Sequence, residues 1–260
     1  METVWLSGFA FLAGLVDAVV GGGGLIQLPA LLLFLPPDRA GDLAAILGTN
    51  KAASIWGTGM AVAQYAPRVR FRWHAVLPAA IIAFIFSWLG ATAASHIDRA
   101  ILEPVILLLL VGVAVYTFLR PSLGQVHTPL LATHHERALG IGVGVVLGFY
   151  DGFFGPGMGS FLIFVFIGLF GFDFLNASAS AKVVNFSTNL AAVLLFASTG
   201  RIWYRYAVPM AICQMLGSIV GTRLAVRKGN AFVRGLFLIV ASLLIARFGW
   251  ELTAKWLNGG

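Results

Sequence analysis

Apolar residues run through this chain in ten stretches, five in each half, separated by short polar or glycine-rich breaks. In the first half they cover about 4–20, 24–35, 42–66, 74–95 and 100–119; in the second, about 138–154, 159–171, 178–199, 206–226 and 231–250. Several approach the ~20 residues a helix needs to span a bilayer, and none shows the short alternation of a membrane β-barrel. The pattern predicts an all-α integral membrane protein. The first two stretches of each half are short and flank a glycine cluster. At ~1.5 Å per residue a 12-residue helix covers only ~18 Å, well short of a ~30 Å hydrocarbon core. Each such pair is read as a broken or re-entrant hairpin tipped by glycine, and the other three stretches as full spans.

The interruptions repeat. Asp17-Ala-Val-Val-Gly21-Gly22-Gly23-Gly24 is matched by Asp151-Gly-Phe-Phe-Gly155-Pro156-Gly157-Met-Gly159, with Asp17, Gly21 and Gly23 mapping onto Asp151, Gly155 and Gly157 at a shift of 134. Lys51, Arg70, Pro78 and Gly90 then map onto Lys182, Arg201, Pro209 and Gly221 at a shift of 131. Glycine matches alone are weak in a chain with 31 glycines, but two of only four lysines fall in register. An internal duplication follows, with residues 1–119 and 138–260 as two transmembrane repeats joined by a polar linker at 120–137. Such duplication points to a transporter.

Loop charge sets the topology. Arg68, Arg70 and Arg72 precede the fourth stretch of the first half, while Arg99 in the next loop is offset by Asp98 and Glu103. In the second half Arg201 and Arg205 come first, and Arg223, Arg227, Lys228 and Arg234 surround the following loop. The positive-inside rule places the halves in opposite orientations, as inverted repeats, with the linker cytoplasmic through Arg120 and Arg137 and both termini outside. Hydrophobic residues make up 59% and charged residues 10% of the chain, against roughly 25% charged in a soluble domain. The net charge of +7 is dispersed in these loops, which argues against nucleic-acid binding. Glu2 and the lack of an early Lys or Arg give no basic n-region, so the first stretch is expected to stay in the mature protein. Gly140, Gly144 and Gly148, like Gly217 and Gly221, read as close helix packing within the bundle or between subunits, which leaves a homo-oligomer open.

The chemistry lies in the lysine segments. Lys51, Ser54 and Thr58 share one helix face, as do Lys182, Asn185 and Asn189 at matching positions, and Asn50 and Ser178 extend the two polar surfaces. A lysine at the centre of a membrane helix costs about 2.5–3.5 kcal/mol on insertion scales, so each needs compensation. One reading is a buried ion pair with Asp17 or Asp151. The other is a central cavity in which both lysines attract an anion, with Ser54, Thr58, Asn185 and Asn189 as neutral donors. The glycine clusters support the second reading, because a helix that starts after a glycine turn offers free N–H groups and the positive end of its dipole. Gly21, Gly22, Gly23 and Gly24, with Gly155, Pro156, Gly157 and Gly159, are therefore candidate substrate contacts. Asp17 and Asp151 either couple transport to protons or anchor the turns.

No Gly-Lys-Ser/Thr follows either cluster and no strand precedes it, which excludes nucleotide binding. Cys213 is the single cysteine. His74, His96, His127, His134 and His135 lie at segment edges or in the linker, with no metal-ligand spacing. No metal or cofactor is expected, and no serine, GxGD or zinc signature of an intramembrane enzyme is present.

The stretches Gly14-Leu-Val-Asp17-Ala-Val-Val-Gly-Gly-Gly-Gly-Leu-Ile-Gln-Leu-Pro29 and Gly148-Phe-Tyr-Asp-Gly-Phe-Phe-Gly-Pro-Gly-Met-Gly-Ser160, with Thr49-Asn50-Lys51 and Ser180-Ala181-Lys182-Val-Val-Asn185, resemble the sulfite exporter TauE/SafE family. The similarity extends over nearly the whole chain. Met158 is a departure, standing where the first copy has a glycine, so the two half-sites need not contribute equally. The resemblance implies a permease of the bacterial inner membrane for small sulfur-containing anions, such as sulfite or C2 sulfonates like sulfoacetate. The expectation is a secondary transporter with an anion site at the repeat interface. A passive anion channel is the alternative.

Overall fold

A computed structural model describes residues 1–36, 42–94 and 133–258. The described residues are helical: α1 (Glu2–Val20), α2 (Gly23–Phe34), α3 (Leu43–Tyr65), α4 (Trp73–Ala93), α5 (Thr133–Phe153), α6 (Met158–Gly168), α7 (Phe174–Ser198) and α8 (Tyr204–Asn258). The chain is an all-α membrane protein. Four helices are long and apolar enough to cross a bilayer: α1, α4, α7 and the Tyr204–Leu236 part of α8. Near Gly229 (φ 71°, ψ −165°) α8 breaks, which separates the two last stretches read from the sequence. The stretch at 100–119 lies outside the described residues. So does most of the polar stretch 120–137, whose end forms the start of α5.

The expected hairpins differ in their arms. The 12-residue α2 and 11-residue α6 are short, as expected. The first arms are not: α1 has 19 residues and α5 has 21, about 28 and 32 Å at 1.5 Å per residue. The sequence estimate fell short because Glu2 and the Thr133–Arg137 turn were counted as flanking loop, yet both are helical.

Local chemistry explains the helix starts. Asp42 caps α3 by accepting the Ala45 N–H (3.1 Å), and Asp173 caps α7 by accepting the Asn176 N–H (2.7 Å). These two caps are themselves 131 residues apart, the same shift as Lys51 and Lys182. The outer faces repeat as well. Leu77, Ile81, Ile85 and Leu89 on α4, and Val208, Ile212, Leu216 and Val220 on α8, form exposed apolar stripes at four-residue spacing, each position shifted by 131. An outward apolar face over a polar interior suits lipid, not water.

Two helix pairs make backbone-to-backbone contact through glycine. On α1 and α8, Gly14 abuts Gln214, while Gly217 and Gly221 abut Phe11 and Leu15. On α5 and α4, Gly140, Gly144, Gly148 and Gly152 abut Ala75, Ala79, Ala83 and Ser87. The glycine stripes thus pack within the chain, and each pair joins one half to the other. Leu6 belongs to one apolar cluster with Ile202 and Tyr206, and Val19 and Val20 to another with Val69, Phe172 and Val233. Accordingly α1 runs from the Arg201 end of the bundle to the end that carries Val69. There α5 begins, its buried Glu136 held by Arg72 (3.1 Å) and His74 (2.7 Å). Hence α1 and α5 run in opposite directions.

Candidate functional site

The two glycine tips meet. Gly21 ends α1 in the left-handed region (φ 77°), its N–H donating to Asp17 O at 2.9 Å. Its backbone lies directly against Gly159 in the first turn of α6, with no room for a Cβ on either residue. Gly155 (φ 90°) and Gly157 (φ 84°) turn the second tip. A helix end leaves four carbonyls without intrahelical partners, and those of α1 are met one by one. Asp17 O takes the Gly21 N–H, Ala18 O the Tyr65 hydroxyl (2.9 Å), Val19 O the Ser178 hydroxyl (2.7 Å) and Val20 O the Ser160 hydroxyl (2.8 Å). Ser178, a candidate donor to substrate, is here used to close α1.

Both lysines are paired, and the pairs cross between the halves. Lys51 Nζ lies 2.7 Å from Asp151 Oδ1, and Lys182 Nζ lies 2.9 Å from Asp17 Oδ2. The four residues are buried, with Lys182 at 0% and Lys51 at 4% exposure. Gly155 makes space for the first pair, since a Cβ there would stand 3.0 Å from Lys51 Nζ and 3.2 Å from Asp151 Oδ1. Of the two readings of the lysines, the ion pair is the one this conformation adopts.

The pairs are not equivalent. Asp17 Oδ1 accepts the Gly23 N–H at 3.3 Å, so both its oxygens are engaged. Asp151 Oδ2 is buried with no hydrogen-bond partner among the described residues. Met158 and Pro156 alter the second tip, where the Tyr150 hydroxyl donates to Pro156 O (2.5 Å).

Between the tips lies a polar cavity of about 20 Å³, room for about one water molecule. Its wall gathers Gly21, Gly24, Gly155, Gly157 and Gly159 from the tips, Asn50, Lys51, Ser54 and Thr58 from α3, Asn185 and Asn189 from α7, and both aspartates. The remaining candidates, Lys182, Ser178, Gly22, Gly23 and Pro156, are not among the residues of the wall. Asn189 Nδ2 donates to Asn185 Oδ1 (3.2 Å), and the Thr58 hydroxyl turns back to Ser54 O and Ile55 O. Cavities of about 580 Å³ near Arg201 and 490 Å³ beside Trp56 are larger. Neither is lined by a residue of the two lysine–aspartate pairs or of a glycine tip, so size does not identify the site.

Sequence reasoning passed over Gln27 and Gln214. Both are buried, at 0% and 1% exposure, and they meet at Ser54, which donates to Gln27 Oε1 (3.3 Å) and accepts from Gln214 Nε2 (3.3 Å). The available signal was an amide inside each of two apolar segments. The repeat hides it, since the matching positions hold Phe161 and Ala83.

A bundle with an apolar outer face, crossed intramembrane ion pairs and a polar cavity where two short helices start belongs to the class of multi-pass membrane transporters. The chain is a member of the sulfite exporter TauE/SafE family, whose model matches residues 6–248. It is 36% identical over 239 residues to a probable membrane transporter protein, ORF9, from Sinorhizobium, covering 92% of this chain and 88% of that one. A probable membrane transporter protein of Haemophilus influenzae is 33% identical over 242 residues, covering 93% and 92% of the two chains. The probable membrane transporter protein YfcA of Escherichia coli is 30% identical over 247 residues, covering 93% and 87%. No solved structure matches. The protein is a membrane transporter and not an enzyme.

Proposed function

We propose that the chain is a secondary transporter of small sulfur-containing anions, sulfite or C2 organosulfonates such as sulfoacetate, acting by alternating access in a bacterial inner membrane. The observation that carries this reading is Lys51 in the wall of the cavity where both glycine tips meet. Around it stand the neutral amides Asn50, Asn185 and Asn189 and the first turns of α2 and α6. A sulfonate needs several donors converging on three oxygens, and backbone N–H groups, amides and one ammonium supply them.

The cavity of about 20 Å³ is too small for such an anion, which favours a gated carrier over an open channel. Opening on either side requires the halves to move relative to each other, with the opposed courses of α1 and α5 as inverted repeats. Residues 1–119 and 138–260 are the moving units, joined through 120–137.

The test is uptake of labelled sulfite and sulfoacetate into proteoliposomes. Saturable uptake is expected, and Lys51→Gln should reduce it at least tenfold while the purified variant still melts cooperatively in detergent. Flux that rises linearly with concentration would favour a channel. Unchanged transport by Lys51→Gln would remove Lys51 from the site.

A further inference from the structure

We propose that Asp151 takes up one proton for each singly charged anion the protein binds, as Lys51 passes from Asp151 to the anion. The proposal rests on the anion reading above and adds the coupling ion and its address. Three observations carry it.

The first is the inequality of the two carboxylates. Asp17 has both oxygens engaged, by Lys182 and by the Gly23 N–H, whereas Asp151 Oδ2 has no partner among the described residues. Among the described residues Lys51 is thus the one cation paired with Asp151, whose second oxygen is left to accept a proton. The second is place. Lys51 and Asp151 both line the cavity, whereas Lys182 is absent from its wall and is paired with Asp17. The third is charge. The charged groups that share the cavity wall with Asp151 are Lys51 from α3 and Asp17 from α1, and Asp17 is itself paired with Lys182 from α7. On its own helix the neighbouring Tyr150 hydroxyl is occupied with Pro156 O. Neither α2 nor α6 contains a titratable side chain, and the one on α4, His74, pairs with Glu136 at the start of α5. Two lysines and two aspartates sum to zero.

A bound monoanion makes that sum −1 in a closed site from which bulk water is excluded, and draws away the cation that Asp151 holds among the described residues. An unpaired buried carboxylate is neutralised by protonation rather than left charged. The balance is simple. The anion pairs with the Lys51 ammonium, which keeps its protons. The Asp151 carboxylate binds one proton from the solution that delivered the anion. On release at the other face the proton leaves and the Lys51–Asp151 pair re-forms. Proton and monoanion cross together, with no net charge moved.

Isethionate is a suitable probe, a C2 sulfonate with one fixed charge and no proton of its own to release near neutrality. Calorimetric titration of the purified protein in buffers of different ionisation enthalpy counts the protons taken up. Wild type is expected to gain about one per isethionate bound, and its affinity to fall toward tenfold per pH unit as the medium turns alkaline. Asp151→Asn should bind with no proton uptake and no such pH dependence. In proteoliposomes an acid exterior should drive isethionate inward through wild type, and a potassium diffusion potential should not. Binding without proton uptake in wild type overturns the proposal whatever the variants do, as does an Asp151→Asn protein that still gains a proton. Failure of wild type to bind isethionate, sulfoacetate or sulfite overturns the anion reading and this one together.

Discussion

Asp17 and Asp151 occupy matching places in the two halves, yet their surroundings assign them different duties. Asp17 holds the first glycine turn through the Gly23 N–H and neutralises a fully buried Lys182. Removing one partner of such a pair leaves an uncompensated charge and costs about 3–5 kcal/mol. Lys182→Gln is therefore expected to lower the unfolding free energy in detergent by about that amount. Adding Asp17→Asn should recover most of the loss, which a double-mutant cycle measures. The lysines and aspartates were legible in the sequence as groups that need partners, because an ionisable side chain in an apolar helix cannot stay uncompensated. Which lysine meets which aspartate was not. Lys182 and Asp17 are 165 positions apart, and the two copies of the motif give each lysine two equally good candidates. Nor could the sequence separate the two carboxylates, since a single N–H at Gly23 makes the difference.

At the scale of elements, the glycine tips and the short second arms were legible, because a cluster of glycines flanked by apolar residues allows little else. The lengths of α1 and α5 were not, since polar residues at the start of α5 look like loop until Glu136 is seen buried beneath Arg72 and His74. Contact sorts the glycines by need. Gly8, Gly142 and Gly168 have open space where a Cβ would go, whereas Gly148 meets Ala83 and Gly159 meets Gly21. Gly142→Ala should leave the melting temperature in detergent unchanged or raise it slightly. Gly148→Ala and Gly159→Ala should each destabilise by about 1–3 kcal/mol or more, as overpacking does. Ser160→Ala leaves Val20 O without its donor, and a loss of about 1–3 kcal/mol is expected from an unmet buried carbonyl. Thermal melts of the four variants side by side check the ranking.

For the whole molecule, the basic residues separate by end. Val69 and Phe71 share an apolar cluster with Val226 and Phe232, which brings the Arg68–Arg72 loop and the Arg227–Lys228 turn to one end of the bundle. Glu2, Tyr206 and Arg201 lie toward the other. Taking the richer end as cytoplasmic, cysteines introduced at Arg70 and Lys228 in a Cys213→Ala background should be shielded from impermeant maleimide in intact cells, and one at Glu2 should react. Labelling of all three from outside would reject the orientation. Crossed pairing also bears on how the chain is made. Lys51 leaves the translocon about a hundred residues ahead of Asp151, its counter-ion, so the newly inserted first half carries an unquenched ammonium until synthesis is well advanced. Each half is therefore expected to rely on the other to complete its insertion. Expressed from a divided gene, the halves should accumulate only together, each alone being cleared by membrane proteases.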